Sequence, residues 1–328
     1  MTANRNLKRR VRARAAKTGE SYTTALRHFR STLTGDVMPE SRSLRFAVAQ
    51  TTVREDPTSS AELRESGAEL RRMMREAHQA GARIVHFTEG ATCFPSKFVM
   101  SSQGPDQVGP SDWSRFEWDV LRRELAATTD LGRELGIWTV LGSVHQLSGQ
   151  DRPHNSMYVI SDQGDVVARY DERTLSTTKI TYMYTPGAAP VTFDVDGLRF
   201  GCALGMDSHF PELFMEYERL DVDVVLISTT GSVPFSTMVA NEALAHAATN
   251  SYWASLAVPA QHSPVAPSGV VPPDGEWVAQ CDQDGSASLA VVDLGHSTPD
   301  NVTNLARTWR RRTRTALLER APALDATS

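Results

Sequence analysis

Cysteine is scarce in this chain. The 328 residues include three, Cys93, Cys202 and Cys281, far apart and with no Cys-x-x-Cys pair. An odd number at wide spacing excludes a disulfide framework and a thiolate zinc site, and it suits a reducing, cytoplasmic setting. Long apolar runs are missing too. No stretch approaches the roughly 18 apolar residues of a membrane span. The basic N-terminus has no apolar segment behind it, so it makes a poor secretory signal. Internal repeats and low-complexity tracts are absent.

What is present is an ordinary globular composition, with 40% hydrophobic and 22% charged residues, enough for a sizeable core. The charge is uneven. Residues 1–36 hold nine Lys or Arg against Glu20 and Asp36, a balance of +7, which leaves −12 on the rest to reach the total of −5. An acidic body with a basic head is not the profile of a nucleic-acid coat. The head itself suits an acidic surface.

Three parts follow from the patterning. Residues 5–33 read as a basic helical hairpin, turning at Gly19 and restarting at Ser21. The extension is bounded at residues 1–36, and Thr34 to Ser43, with Gly35 and Pro39, is a linker. From Leu44 to Leu294 short β-rich runs alternate with helical ones. Strands are expected at Arg45–Gln50, Ile84–Phe87, Ile137–Gly142, Met157–Ser161, Val166–Tyr170, Arg199–Leu204, Val222–Ser228 and Tyr252–Val258. Helices are expected at Ala61–Ala80, Asp119–Leu135, Pro211–Leu220 and Thr237–Thr249. Early alternation and later hairpins argue for one layered α/β sandwich with mixed sheets, at 44–294. Pro299 to Arg320 reads as an arginine-rich helix, with a solvated face or as an arm on another subunit.

Chemistry-bearing residues lie in order along the middle part. Glu89 ends the run Ile84-Val-His-Phe-Thr-Glu, where half-desolvation raises a carboxylate toward neutrality. Leu141-Gly-Ser-Val-His-Gln146, Asn155-Ser156 and Tyr170-Asp-Glu-Arg-Thr-Leu175 follow, then Pro186-Gly187. The most specific block is Gly201-Cys-Ala-Leu-Gly-Met-Asp-Ser-His-Phe-Pro-Glu212. Ala245-His-Ala-Ala-Thr-Asn250 and Ser268 to Gly275 complete the series. This succession resembles the nitrilase, or carbon–nitrogen hydrolase, superfamily.

The resemblance implies a four-layer α-β-β-α sandwich and a glutamate–lysine–cysteine site. Its general base falls on Glu89. Its lysine, which stabilises the oxyanion, falls on Glu172. Its nucleophile falls on Gly205, which has no side chain to form an acyl-enzyme. A second, positioning glutamate falls on Gln146, and the elbow's arginine on His209. Asp207 keeps its family identity, and with His209 and Gln146 it is a candidate ligand-binding residue. Arg173 alternates to the opposite side from Glu172. Lys179 reaches the site only if its loop folds back. Cys202 is expected in the core and Cys93 beneath a loop.

The resulting expectation is a non-hydrolytic or altered-chemistry homologue. The alternatives are an active amide or nitrile hydrolase with a non-standard site, and a ligand-binding or assembly protein. A small amide, nitrile or carboxylate-like ligand and a homodimer are the implied partners. Glu89, Glu172, Asp207 and His209 are residue types that hard or borderline metal ions accept. In the family the elbow aspartate and its neighbour are structural, so no metal and no cofactor is expected. With Glu89 and Glu172 in one cavity, the two carboxylates are expected to repel, share a proton or recruit a cation.

Overall fold

The computed structural model describes residues 43–149, 152–230, 236–295 and 302–324. The basic N-terminal hairpin lies outside the described residues. The first half of the chain runs β1 (Ser43–Gln50), α1 (Ser60–Gln79), β2 (Ile84–His86), α2 (Trp118–Leu135), β3 (Trp138–His145), β4 (His154–Ile160) and β5 (Val166–Asp171). The second runs β6 (Thr192–Val195), β7 (Leu198–Leu204), α3 (Pro211–Arg219), β8 (Val224–Ser228), α4 (Ser236–Asn250), β9 (Trp253–Ala257), β10 (Gly269–Val271), β11 (Ala279–Gln280), β12 (Ser288–Gly295) and α5 (Val302–Leu324).

Two six-stranded mixed sheets result, in the orders β12-β1-β2-β3-β4-β5 and β11-β10-β9-β8-β7-β6. Strand alternation decides what each face meets. On β1, Leu44, Phe46 and Val48 point between the sheets and Ala47 and Ala49 toward the helices. On β7, Phe200, Cys202 and Leu204 point between the sheets, while Ala203 faces α3 and α4. Cys202 is therefore a core residue, as expected. Leu70 and Met73 of α1 and Leu131 of α2 cover the first sheet, and Phe214, Tyr217 and Val239 cover the second. The layers are thus α-β-β-α. Each fully buried Phe or Leu contributes about 1.5–3 kcal/mol.

A polar link centred on His86 crosses the inner layer. The His86 imidazole on β2 bonds Ser255 on β9 at 2.9 Å and Ser228 on β8 at 2.8 Å. Burial pushes its pKa down to about 3, so the ring is neutral.

The boundaries of α1 to α4 fall within a residue of expectation, while α5 runs to Leu324, past the expected end at Arg320. Ser59 caps α1 by accepting from the Glu62 N–H, and Gly136 ends α2 in the left-handed conformation. The β6–β7 hairpin was not anticipated, although its Asp196-Gly197 turn is a hairpin signal.

The arginine-rich helix differs from expectation. Arg307, Arg310, Arg311 and Arg314 recur on one face of α5, and that face packs on the chain's own body. Arg307 donates to the Val222 carbonyl at 2.6 Å and Arg310 to the Ser251 hydroxyl at 2.6 Å. Arg311 and Arg314 meet Glu218, which is 1% exposed, at 3.2 and 3.1 Å. The outer face carries Trp309, Arg312 and Leu317.

Candidate functional site

Parallel pairing of β2 with its neighbours, and of β7 with β8, brings the carboxyl ends of these strands to one end of the sandwich. Open α/β sheets collect ligands at such ends. Glu89 follows β2, Gly205 follows β7, Thr230 follows β8 and Glu172 follows β5. Asn155 projects from β4 between the two glutamates.

The Glu89 turn crosses closely over β3 at Gly142. A Cβ there would sit 2.5 Å from the Thr88 carbonyl oxygen and 2.7 Å from the Glu89 Cα. Only glycine permits that approach. Glu89 is completely buried, and its two oxygens take four hydrogen bonds. Oε1 accepts from Asn155 Nδ2 and Lys179 Nζ, both at 2.7 Å. Oε2 accepts from the Thr230 N–H at 2.6 Å and its hydroxyl at 2.9 Å. Burial pushes this carboxyl up, but the Lys179 charge and these donors outweigh it and hold it below its ordinary range.

Glu172 shares the same lysine. Its Oε2 accepts from Lys179 Nζ and Asn155 Nδ2, both at 2.7 Å. Its Oε1 accepts from the Met206 N–H at 2.9 Å. Burial pushes this carboxyl up to about 7 against the pull of Lys179, and the Glu89 charge adds to the rise. All three protein partners are donors, so the hydrogen bonds themselves favour the ionised form.

Lys179 opens a single π-helical turn, Lys179–Met183. Such turns are frequent at functional sites because the extra residue re-aims a side chain. Here it aims the ammonium between the two carboxylates, with 12% of the side chain exposed. Burial lowers its pKa, and the two carboxylates more than reverse that, so it is charged. The condition placed on Lys179 from sequence is thus met. It also corrects the picture of two carboxylates without a counter-charge, for the cation they require is already part of the chain. A lysine at position 172 would meet a second ammonium rather than relieve a repulsion.

Gly205 stands at the strand-to-helix elbow with φ 59°. A Cβ built on it would lie 2.3 Å from Glu172 Oε1 and 3.0 Å from Lys179 Nζ. The Glu172 carboxylate therefore occupies the space into which a side chain at the elbow would project.

The other candidates separate. His209 lines the cavity and bonds Glu242 at 2.8 Å. Asp207 turns into the protein, accepting from the Tyr170 hydroxyl at 2.6 Å, the Thr174 N–H at 2.9 Å and the Leu204 N–H at 3.2 Å. It braces the elbow and does not line the cavity. Gln146 is exposed and accepts from Arg122 at 2.9 Å, away from the cavity. These placements correct the expectation of a ligand-binding role for Asp207 and Gln146. Glu89, Glu172, Asp207 and His209 do not converge as a ligand set. Arg173 pairs with Glu216 at 2.7 Å, on the other side, as its alternation requires. Cys93 is 1% exposed, and burial raises its thiol pKa. Asn155 and Thr230, which hold the carboxylates, were not singled out for that role. Asn155 stood in a quoted block. Thr230 carries no local signal, because its contact with Glu89 spans 141 positions.

The site opens into a cavity of about 910 Å³. Glu89, Lys179, Gly205 and Tyr184 line it, together with Phe94, Met183, Met206 and Pro259. Lys97, Glu55 and His262 border it as well.

Known proteins share this arrangement of strands. The family model described as carbon-nitrogen hydrolase matches residues 45–299. A deaminated glutathione amidase from Bos taurus is 24% identical over 252 residues, 68% of this chain and 70% of that protein. Its Homo sapiens counterpart is 26% identical over 196 residues, 51% of this chain and 57% of that protein. Among solved structures, a Nesterenkonia amidase double mutant in complex with acrylamide superposes with a TM-score of 0.63. It is 19% identical, and the match covers 83% of this chain and 99% of that one. Saccharomyces cerevisiae Nit3, a member of branch 10 of the nitrilase superfamily, gives a TM-score of 0.62 at 19% identity. That match covers 83% of this chain and 94% of that one.

Proposed function

The chain belongs to the carbon–nitrogen hydrolase family, and we propose that it binds a small ligand in the family's site without thiol-dependent hydrolysis. One observation carries this reading. The elbow residue is Gly205, and the Glu172 carboxylate fills the space where a nucleophile's side chain would begin. An acyl-enzyme needs a thiolate or comparable nucleophile at that point. The three thiols offer no substitute. All are buried, and burial lifts the Cys202 and Cys281 pKa values to about 12.

The remaining groups support binding. Lys179 keeps an ammonium beside Gly205, supplied from seven positions further along than the family's lysine. The Met206 N–H, directly after the elbow, is already occupied by Glu172. An altered chemistry with Glu172 as proton carrier is less favoured, because that side chain is fully buried and screened from the cavity.

The test is hydrolysis of small amides, nitriles and N-carbamoyl compounds by the purified chain. No turnover sensitive to iodoacetamide is expected. Sensitive turnover with an acyl adduct on Cys93 would overturn the reading. A rebuilding experiment sharpens it. Gly205→Cys alone meets Glu172 and should stay inactive. Gly205→Cys with Glu172→Gly clears that space beside Glu89 and Lys179, and should gain slow, iodoacetamide-sensitive amide hydrolysis.

A further inference from the structure

The strand end that presents Glu172 is held from behind by a second polar cluster. Alternation along β4 and β5 turns Asn155 and Glu172 to the inner face, and their neighbours His154 and Asp171 to the helix side. On that side the Arg169 guanidinium donates to both Asp171 oxygens, each at 2.9 Å. Ser156 donates to the same carboxylate at 2.6 Å. The remaining arm of Arg169, Nη1, reaches Nε2 of His145 on β3. The other His145 nitrogen, Nδ1, is 2.7 Å from the Tyr158 hydroxyl. His154 donates from Nδ1 to the Thr185 carbonyl at 2.7 Å, and its Nε2 stands 3.9 Å from Asp171 Oδ2.

These partners fix the state of His145. A guanidinium can only donate, so Nε2 accepts and the ring is neutral, with its proton on Nδ1 toward Tyr158. Burial lowers the pKa of this ring, and the Arg169 charge and the His154 ring lower it further, while Asp171 works against them. Burial pushes the Tyr158 phenol up to about 12, so it stays neutral. A proton on His145 Nε2 would set N–H against N–H and cation against cation. Arg169 is 32% exposed and has water to turn to. Asp171 has a second cation within reach, because a protonated His154 pairs with it.

We propose that this cluster is a pH-sensitive latch on β5. Acidification drives Arg169 off His145, leaves Asp171 to His154 and Ser156, and loosens the strand end that presents Glu172. The direction follows from the lowered pKa of His145. The latch is fully closed above the ordinary histidine value of 6.5 and opens as pH falls below it. Its opening is readable because β5 stands at the end of its sheet and pairs with β4 alone among the described strands.

The test is amide hydrogen exchange of the full chain at pH 7.5 and pH 5, corrected for the intrinsic rate and read over residues 166–172. Wild type should exchange at least about fivefold faster there at the lower pH, while β7 and β8 stay unchanged. His145→Gln keeps an acceptor for Arg169 and cannot take a charge, so it should abolish the rise. Glu172→Gln removes the titration of the site itself and should retain it. Arg169→Met lacks the central arm and should exchange at the faster rate at both pH values. His154→Gln removes the ring that receives Asp171 and should shrink the rise. The proposal is overturned if wild type shows no rise, or if the rise persists in His145→Gln or Arg169→Met. Loss of the rise in Glu172→Gln also overturns it, by tracing the effect to the site carboxylate. An unchanged rise in His154→Gln overturns the transfer of Asp171.

Discussion

Two buried carboxylate clusters in this protein meet their counter-charges differently. At the site, Glu89 and Glu172 share the single ammonium of Lys179. Beneath α5, Glu218 faces two guanidinium groups, Arg311 and Arg314, and Arg311 also pairs with Asp221 at 2.8 Å. The side chains of Arg311, Arg314 and Asp221 are 39%, 22% and 66% exposed, so water solvates the charge around Glu218. Glu89 and Glu172 are 1% and 0% exposed, so theirs is held by fixed donors: Asn155, Thr230 and the Met206 N–H. A cluster with access to water tolerates imbalance. A sealed one must be satisfied bond by bond.

Breaking the sealed cluster should have the largest effect. Lys179→Met removes the cation between two buried carboxylates, at an expected cost of about 3–5 kcal/mol in urea unfolding near pH 7. The loss should shrink by pH 5, where protonation relieves the repulsion. A loss below about 1 kcal/mol at both pH values would mean that the cluster is solvated.

A smaller effect comes from titrating the same cluster. Glu172 has its folded pKa raised from 4.5 to about 7, so the stability it contributes is complete below about pH 4.5 and is lost as pH rises through about 7. Glu89, held low, changes its contribution only below that window. The stability of wild type relative to Glu172→Gln should therefore fall by about 1–3 kcal/mol between pH 5 and 8. A gap that stays constant or widens with pH would remove Glu172 as the titrating member.

The open cluster should respond least. Glu218→Gln leaves two arginines that can turn toward water, at an expected cost of about 1 kcal/mol. Faster amide exchange confined to α5 would mark the helix as loosened. A cost equal to that of Lys179→Met would erase the distinction between the clusters.

The layered fold was legible because β-strands and amphipathic helices write their periods into neighbouring residues. Phe46 and Val48, or Phe200 and Leu204, are two or four positions apart, and local alternation alone assigns them to a face. Glu89 was legible for a similar reason, as an acidic residue directly ending an apolar strand. Lys179 was legible only as a conditional partner, dependent on how its loop folds. Its contact with Glu172 depends on one π-helical turn, a backbone detail that leaves no periodic trace. Gln146 and Asp207 show the reverse. Their positions within the blocks suggested the cavity, yet Gln146 reaches Arg122 at the surface and Asp207 turns inward to Tyr170. Arg307, Arg310, Arg311 and Arg314 of α5 pack on the chain's own body rather than facing solvent or another subunit, because composition gives charge but not direction.

The sequence by itself determined the family resemblance, a layered α/β sandwich and the absence of a side chain at Gly205, all properties carried by residue identity and short-range period. Only the tertiary structure decided that Lys179 supplies the site's charge and that Glu172 fills the nucleophile's space. Those two facts arise where segments distant in the chain meet, and the fit of one side chain against another is settled there by packing.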